Sequence, residues 1–224
     1  MIAAGGEPPT PVDPGDISNY VQDGLVLHLD GIDKGEDSSR WTSLVGAEYY
    51  TLNTHSTNET NAVVMDGSGL IQSTNTVNVD YTSGTIEISA EIITEPSSSI
   101  VIMYGVNNKL GMCFLPEEGY VFGIGANANN NKWTITPQTT FICSMNSLRC
   151  VLNGVSGGTL GTISFTAQNG IAYNSIGGRN GFSTPRYSNI RIYSIRKYNR
   201  QLSETEILKN QRTDNARFNL GLNI

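Results

Sequence analysis

Two glutamates, Glu87 and Glu91, sit four residues apart in the run TIEISAEI, where Ile86, Ile88, Ala90 and Ile92 alternate with polar residues. Two carboxyl groups on one strand face are the equipment of glycoside hydrolysis, one serving as acid and the other as nucleophile or base. On a regular strand at ~3.3 Å per residue they stand about 13 Å apart. Retaining hydrolysis needs the two carboxyl groups about 5 Å apart and inverting hydrolysis about 6.5–9.5 Å, so only a bulge between them brings the pair into range. Read as a regular strand, the run presents two solvated glutamates on an outer face. The expectation is a chain that is not an enzyme.

Other residues with chemical potential are scattered. His28 stands opposite Leu25, Leu27 and Leu29 in an alternating run, and with no acid or nucleophile placed beside it, it reads as an ordinary, partly exposed strand histidine. Asp30, Asp33 and Asp37 lie on a Gly-containing stretch and are the candidate calcium ligands; the EF-hand spacing is missing, and turn-forming, solvated carboxylates are the favoured reading, with no cofactor expected. The loop GANANNNKW, residues 125–133, gathers Asn129, Asn130 and Asn131 beside Trp133. Amides hydrogen-bond sugar hydroxyls and an aromatic face packs on sugar C–H groups, so these four residues are the candidate glycan site; a hairpin tip with Trp133 returning to the core is the other reading. Cys113, Cys143 and Cys150 read as free thiols of a chain made in a reducing compartment, with a Cys143–Cys150 bridge left open by the sequence. Asn58-Glu59-Thr60 matches a glycosylation acceptor, idle outside a eukaryotic secretory pathway.

Composition narrows the class. In 224 residues there are 24 glycines, many Asn, Ser and Thr, few charges, and a net charge of -6. That balance, with no basic run, argues against a nucleic-acid partner, whose phosphates demand clustered cations. No stretch approaches the ~18 apolar residues of a membrane span. The first residues carry neither a basic n-region nor an apolar h-region, so they do not read as a secretory signal. Instead residues 1–18 hold Pro8, Pro9, Pro11 and Pro14 with almost nothing apolar, an extended arm whose order must come from contacts with another chain.

The elements that must position these residues are mostly strands. Residues 25–30 alternate, 47–52 and 62–65 read as two strands separated by the polar loop NTHSTNETN, and 85–94 is the cleanest strand. Trp41 and Leu44 read as a short helical or irregular plug. From Ile100 onward short strands recur about every ten residues, with Asn153-Gly154 the strongest hairpin signal. In IRIYSIRKYNRQLSETEI, Ile190 and Ile192 alternate and Ile195 restarts out of phase, which means a bulge or a change of face. Ser203 and Glu206 then fit a capping box with Leu202 and Ile207 as its staple, opening a helix barely two turns long.

That closing run, preceded in order by DGLVLHLDGIDKG, RWTSLVG, VVMDGSGLI, TIEISAEI and SIGG, resembles the laminin G-like domains of the concanavalin A-like lectin/glucanase superfamily over residues 20–222. The resemblance implies an all-β fold: a two-sheet antiparallel jelly-roll sandwich filling residues 19–224, behind the extended N-terminal arm of residues 1–18 and closed by a short C-terminal helix. Glucanases of this superfamily place an aspartate between their two catalytic glutamates, where this chain has Ser89. Similar domains also occur among bacteriophage structural proteins. The expected function is therefore a structural or adhesion protein on a virion, such as a capsid decoration, head fibre or tail protein. Its arm would hold other virion chains or further copies of itself, and its sandwich would meet host-surface or mucosal glycans. Such a protein is made in the host cytoplasm and released by lysis. The alternative is an extracellular carbohydrate-binding module, secreted or on the cell surface of a gut-type bacterium.

Overall fold

The computed structural model describes residues 16–73, 78–79, 83–94, 100–105, 111–115, 121–124, 133–134, 140–146, 149–157, 171–179 and 186–224. In chain order the strands are β1 (Leu25–Asp30), β2 (Arg40–Thr42), β3 (Tyr49–Thr51), β4 (Ser56–Asn58), β5 (Val63–Asp66), β6 (Ile71–Gln72) and β7 (Asn78–Val79). Then come β8 (Thr85–Ile92), β9 (Ile100–Gly105), β10 (Gly111–Leu115), β11 (Val121–Ile124), β12 (Trp133–Thr134), β13 (Thr140–Asn146), β14 (Cys150–Leu152) and β15 (Val155–Gly157). The last are β16 (Ile171–Ile176), β17 (Gly178–Arg179), β18 (Arg186–Tyr187) and β19 (Asn189–Tyr198), followed by the helix α1 (Glu204–Arg217).

Two antiparallel sheets face each other. The first runs β15-β14-β13-β8-β19-β5-β4, with β1 also on β19; the second runs β12-β11-β10-β9-β16-β6-β3-β2, with β7 on β16. Alternation decides which side chains meet between them. Leu27 and Leu29 of β1, Ile86, Ile88 and Ala90 of β8, and Ile190, Ile192 and Ile195 of β19 pack from the first sheet against Trp41, Tyr50, Ile71 and Ile176 of the second. This is the all-β jelly-roll sandwich with a C-terminal helix that the motif order implies.

Strand β19 organises the first sheet, because it pairs with β8 along its length and changes its other neighbour midway. Residues Asn189 to Ile192 pair with β5, and Ser194 to Tyr198 pair with β1. The register against β8 shifts between Ile192 and Ser194, so Tyr193 is the bulged residue behind the phase slip. At that same point β1 gives way to Gly31, whose N–H donates to the Tyr193 carbonyl at 2.7 Å. A Cβ on Gly31 would lie 2.2 Å from the carbonyl oxygen of Asn61, so only glycine allows the backbones to cross there. The β14–β15 hairpin turns through Asn153 and Gly154, both with positive φ, as a type I′ turn requires.

Three expectations need correction. Trp41 lies in strand β2 rather than in a helical plug, fully buried, its indole N–H donating to the Asp30 carbonyl at 2.8 Å. Part of the polar stretch 53–61 forms β4, an edge strand, since its neighbour β5 offers a free ladder that needs no apolar side chains from it. The helix has 14 residues instead of about two turns. Its cap and staple are as read: Ser203 and Glu206 form the capping box, and Leu202 packs in one cluster with Ile207. Past Ile207, however, the buried residues are Asn210, Gln211, Thr213, Asp214 and Arg217, and an apolar periodicity cannot reveal a polar buried face.

Candidate functional site

The outer face of the first sheet explains why that helix is polar underneath. Alternation points Glu87 and Ser89 of β8, Ser144 of β13, Ser194 and Arg196 of β19, and His28 and Asp30 of β1 away from the core. Register then aligns them in rows, with His28 beside Arg196, Arg196 beside Glu87, and Glu87 beside Ser144. Helix α1 lies over these rows, and all seven side chains are buried.

Arg196 is the hub. Its guanidinium donates to Glu87 Oε2 at 2.9 Å, to Asp214 Oδ1 and Oδ2 at 2.6 and 2.7 Å, and to Ser194 Oγ at 2.9 Å, while the Tyr20 ring lies 4.3 Å from its carbon. Asp214 also accepts from Ser89 and, at 2.8 Å, from the Tyr20 hydroxyl. Burial alone would raise the Asp214 carboxyl, but the Arg196 charge and these hydrogen bonds hold it below the usual carboxylate range. For Glu87 burial wins over Arg196, and its carboxyl is pushed up. Asn210 donates to Glu87 and Gln211 to Ser144, at 2.8 and 2.9 Å, and Asn210 Oδ1 accepts the Val21 N–H at 2.8 Å. The helix therefore clamps residues Tyr20 and Val21 as well as the sheet. At its C-terminal end Arg217 holds Asp30 through two hydrogen bonds and reaches Asp33 at 3.3 Å. A separate buried ion pair, Lys197 to Glu48 at 3.1 Å, lies on β19 and the segment before β3, with burial lowering the Lys197 amine.

Several sequence expectations change here. Glu87 is not solvated; it is sealed beneath α1. Glu91 is half-buried, and binds Arg191 and, at 3.0 Å, the Tyr193 hydroxyl, whose pKa burial and this carboxylate push up to about 12. Arg191 also holds Glu59 at 2.9 Å. The pairing of β8 with β13 runs without a shift from Glu91 to Glu87, so no bulge shortens their separation. His28 is fully buried rather than partly exposed, because α1 and Tyr20 cover it. Asp30 is neutralised by Arg217, and Asp37 accepts from Ser39 and pairs with Arg40, so Asp30, Asp33 and Asp37 do not converge as metal ligands. Among the described residues no group of three or more His, Cys, Asp or Glu could hold a metal ion, and no helix is long and apolar enough to cross a membrane.

Asn129, Asn130 and Asn131 lie outside the described residues, as do Pro8, Pro9, Pro11 and Pro14. Trp133 opens β12, the edge strand of the second sheet, where it pairs with Phe122. This second sheet has no helix over it among the described residues. Where its side chains are described, its outer face carries Arg40, Thr42, Tyr49, Thr51 and Gln72, with the Arg40 guanidinium 4.3 Å over the Tyr49 ring, and beside Gln72 the buried Ser175. Arginine, tyrosine and amide or hydroxyl groups on an open sheet are suited to polar ligands. The residues missed from sequence are Tyr20, Arg196, Asn210, Gln211, Asp214 and Arg217. The one available signal was Arg196 in phase with Ser194 and Tyr198, on a strand facing a run that carries Glu87 and Ser89.

No known family profile matches the sequence, and no curated protein matches it. Solved structures do share the fold. Trypanosoma rangeli sialidase in complex with sialic acid is 16% identical with a TM-score of 0.63, covering 84% of this chain and 32% of that one. The binding domain of Botulinum Neurotoxin DC in complex with SialylT is 14% identical with a TM-score of 0.58, covering 86% and 52%. Domain 4 of a GH43 extracellular arabinanase from Geobacillus stearothermophilus, in complex with arabinotriose, is 13% identical with a TM-score of 0.54, covering 82% and 96%. The chain spans about a third of the sialidase chains. The expectation that it is not an enzyme is contradicted by these neighbours, since about a third of each sialidase chain shares its fold. At such identities the likeness is one of fold, the lectin-like β-sandwich.

The covered histidine yields a pH prediction. Burial and the Arg196 charge lower the His28 pKa from 6.5 to about 3, against the opposing pull of Asp30 and Asp214, with Arg217 adding to the depression. Its neutral form contributes stability in full above pH 6.5, and that contribution is lost as pH falls through the window between the two values. By pH 4 the loss amounts to about 3 kcal/mol. His28→Phe keeps a ring against Tyr20 and sacrifices no hydrogen bond, since neither ring nitrogen has a hydrogen-bond partner and Nε2 lies 3.6 Å from Asp30 Oδ2. Urea unfolding at pH 7, 6, 5 and 4 should show wild type weakening much faster than the variant; parallel profiles would contradict this.

Proposed function

We propose that this chain is a glycan-binding adhesion module displayed on a larger particle, as a surface component of a bacteriophage virion held by the arm of residues 1–18, with residues 19–224 as the displayed domain. The observation that carries the reading is the unequal treatment of the two sheets. The first sheet's outer face is sealed by α1, and residues Tyr20 and Val21, which follow the arm, are clamped into that seal. The second sheet has no helix over it among the described residues and ends on β12, which follows the amide-rich stretch in sequence. Attachment on the sealed side leaves the second sheet, with its edge strand β12, on the side away from the particle. The order of laminin G-like motifs supports the reading, as do solved structures of this fold bound to sialic acid, SialylT and arabinotriose. Such a protein reaches its site by lysis of the cell that makes it.

A second reading is favoured by one observation. The likeness to the arabinanase domain covers 96% of that domain, which belongs to an extracellular enzyme. On this reading the chain is an extracellular carbohydrate-binding module, and Asn129, Asn130, Asn131 and Trp133 keep the same role.

Two measurements test the proposal. On an array of sialylated and arabinose-containing glycans, wild type should bind and Trp133→Ala should weaken binding by about 1–3 kcal/mol while its melting curve is kept; a blank array for wild type removes the glycan claim, and an unfolded variant places Trp133 in the core. Deleting residues 1–18 should leave the thermal midpoint nearly unchanged and abolish co-sedimentation with the assembled particle, because a proline-rich segment loses little freedom on docking. Assembly that survives the deletion shows that the arm is not the anchor.

A further inference from the structure

Cys143 and Cys150 take no part in the polar seal or in the open sheet. They lie in the sandwich core on neighbouring strands, 0% and 2% exposed, with their sulfurs 3.7 Å apart. Register explains the contact. Cys143 pairs with Leu152 and Met145 with Cys150, so the two cysteines are diagonal neighbours on the inner face of one antiparallel ladder. Both are free thiols. We propose that this pair is a latent disulfide, which closes when the chain meets a disulfide oxidant such as oxidised glutathione and staples β14 to β13.

Forming the bond brings the sulfurs from 3.7 Å to about 2.05 Å; diagonal ladder neighbours stand about 7–8 Å apart, so closure draws β14 towards β13 as well as turning the two side chains. Burial and the neighbouring Cys150 push the Cys143 thiol well up, so the pair rests reduced while the core is closed. Access comes from the sheet edge. β15 is the edge strand, β14 is next to it, and Val155 is 69% exposed. Cys150 is the first residue of β14, so fraying of this hairpin uncovers it before Cys143 in the middle of β13. The Cys150 thiolate attacks one sulfur of the oxidant, forming a mixed disulfide and releasing one glutathione thiolate. Cys143, deprotonated in the opened state, then attacks the Cys150 sulfur and expels the second glutathione. Two protein thiols are oxidised, one glutathione disulfide is reduced to two thiols, and the protons pass to the leaving thiolates.

The staple acts on the seal as well as on the core. Gln211 of α1 donates to the Val151 carbonyl at 2.9 Å and accepts the Gly154 N–H at 2.8 Å, so the helix grips the hairpin that the disulfide would hold. A protein displayed outside cells meets oxidants after its release, and a bond closing then would leave its assembly in the reduced state undisturbed.

Trypsin can cleave after Arg149, between the two cysteines, so the bond is read as a link between two peptides. Full-length protein in a Cys113→Ser background is incubated with oxidised glutathione, blocked with an alkylating agent, digested and analysed by mass spectrometry; a parallel sample is refolded in the same oxidant. The expected result is a Cys143–Cys150 linked pair of peptides that vanishes with reductant, and a melting temperature about 5 °C higher in the oxidised form. Cys150→Ser should abolish both. Recovery of both cysteines alkylated in the folded and the refolded samples overturns the proposal, as does a glutathione adduct on Cys150 that never resolves.

Discussion

A guanidinium removed from water must be neutralised and must have its N–H groups accepted, and Arg196 is such a group. Its partners come from three elements: Glu87 from β8, Ser194 from its own strand, and Asp214 from the helix. Each partner is buried in turn and recruits others, Ser89 and Tyr20 to Asp214, Asn210 and Ser144 to Glu87. The helix cannot slide by a turn or rotate without stranding a charge. An apolar interface would tolerate such a shift far better, so the network fixes the position of α1 more than it adds net stability.

From this seal follows the asymmetry of the sandwich. With α1, Tyr20 and Val21 packed on the first sheet, the second is the one without a helix over it among the described residues. The bulge at Tyr193 serves the same end: upstream of it Arg191 reaches out to Glu59 and Glu91 at the border of the seal, and downstream Ser194 and Arg196 turn under the helix. One extra residue switches the strand between a half-exposed ion cluster and a dry one.

The parts of the fold that rest on apolar alternation or turn chemistry were legible in the sequence. Leu27 and Leu29, the isoleucines of β8, the phase slip at Ile195, the Ser203–Glu206 box and Asn153-Gly154 all carry a local signal with one structural meaning; Leu25 does not follow its alternation, because the register slips after it and it packs on the helix side with Leu202 and Ile207. The helix body and the seal were not legible, because a glutamate written into an alternating strand looks the same whether it faces water or a buried arginine. Glu87 read as solvated for that reason, and α1 read short because Asn210, Gln211, Asp214 and Arg217 look like a solvent face. Asp30 read as a turn carboxylate or calcium ligand because its partner, Arg217, is 187 residues away. The candidate glycan residues rest on composition alone, and only the place of Trp133 on an edge strand has been added to it.

A double-mutant cycle on Arg196 and Asp214 tests the central claim most directly. Chemical unfolding of Arg196→Met, Asp214→Asn and the double variant at pH 7 gives three free energies. If the helix is held by a mutually satisfied buried pair, each single change costs about 3–5 kcal/mol by leaving a charge unpaired, and the double variant costs little more than one of them. Single changes that cost under about 1 kcal/mol, or costs that simply add, would show that the helix is held elsewhere and that the network is incidental.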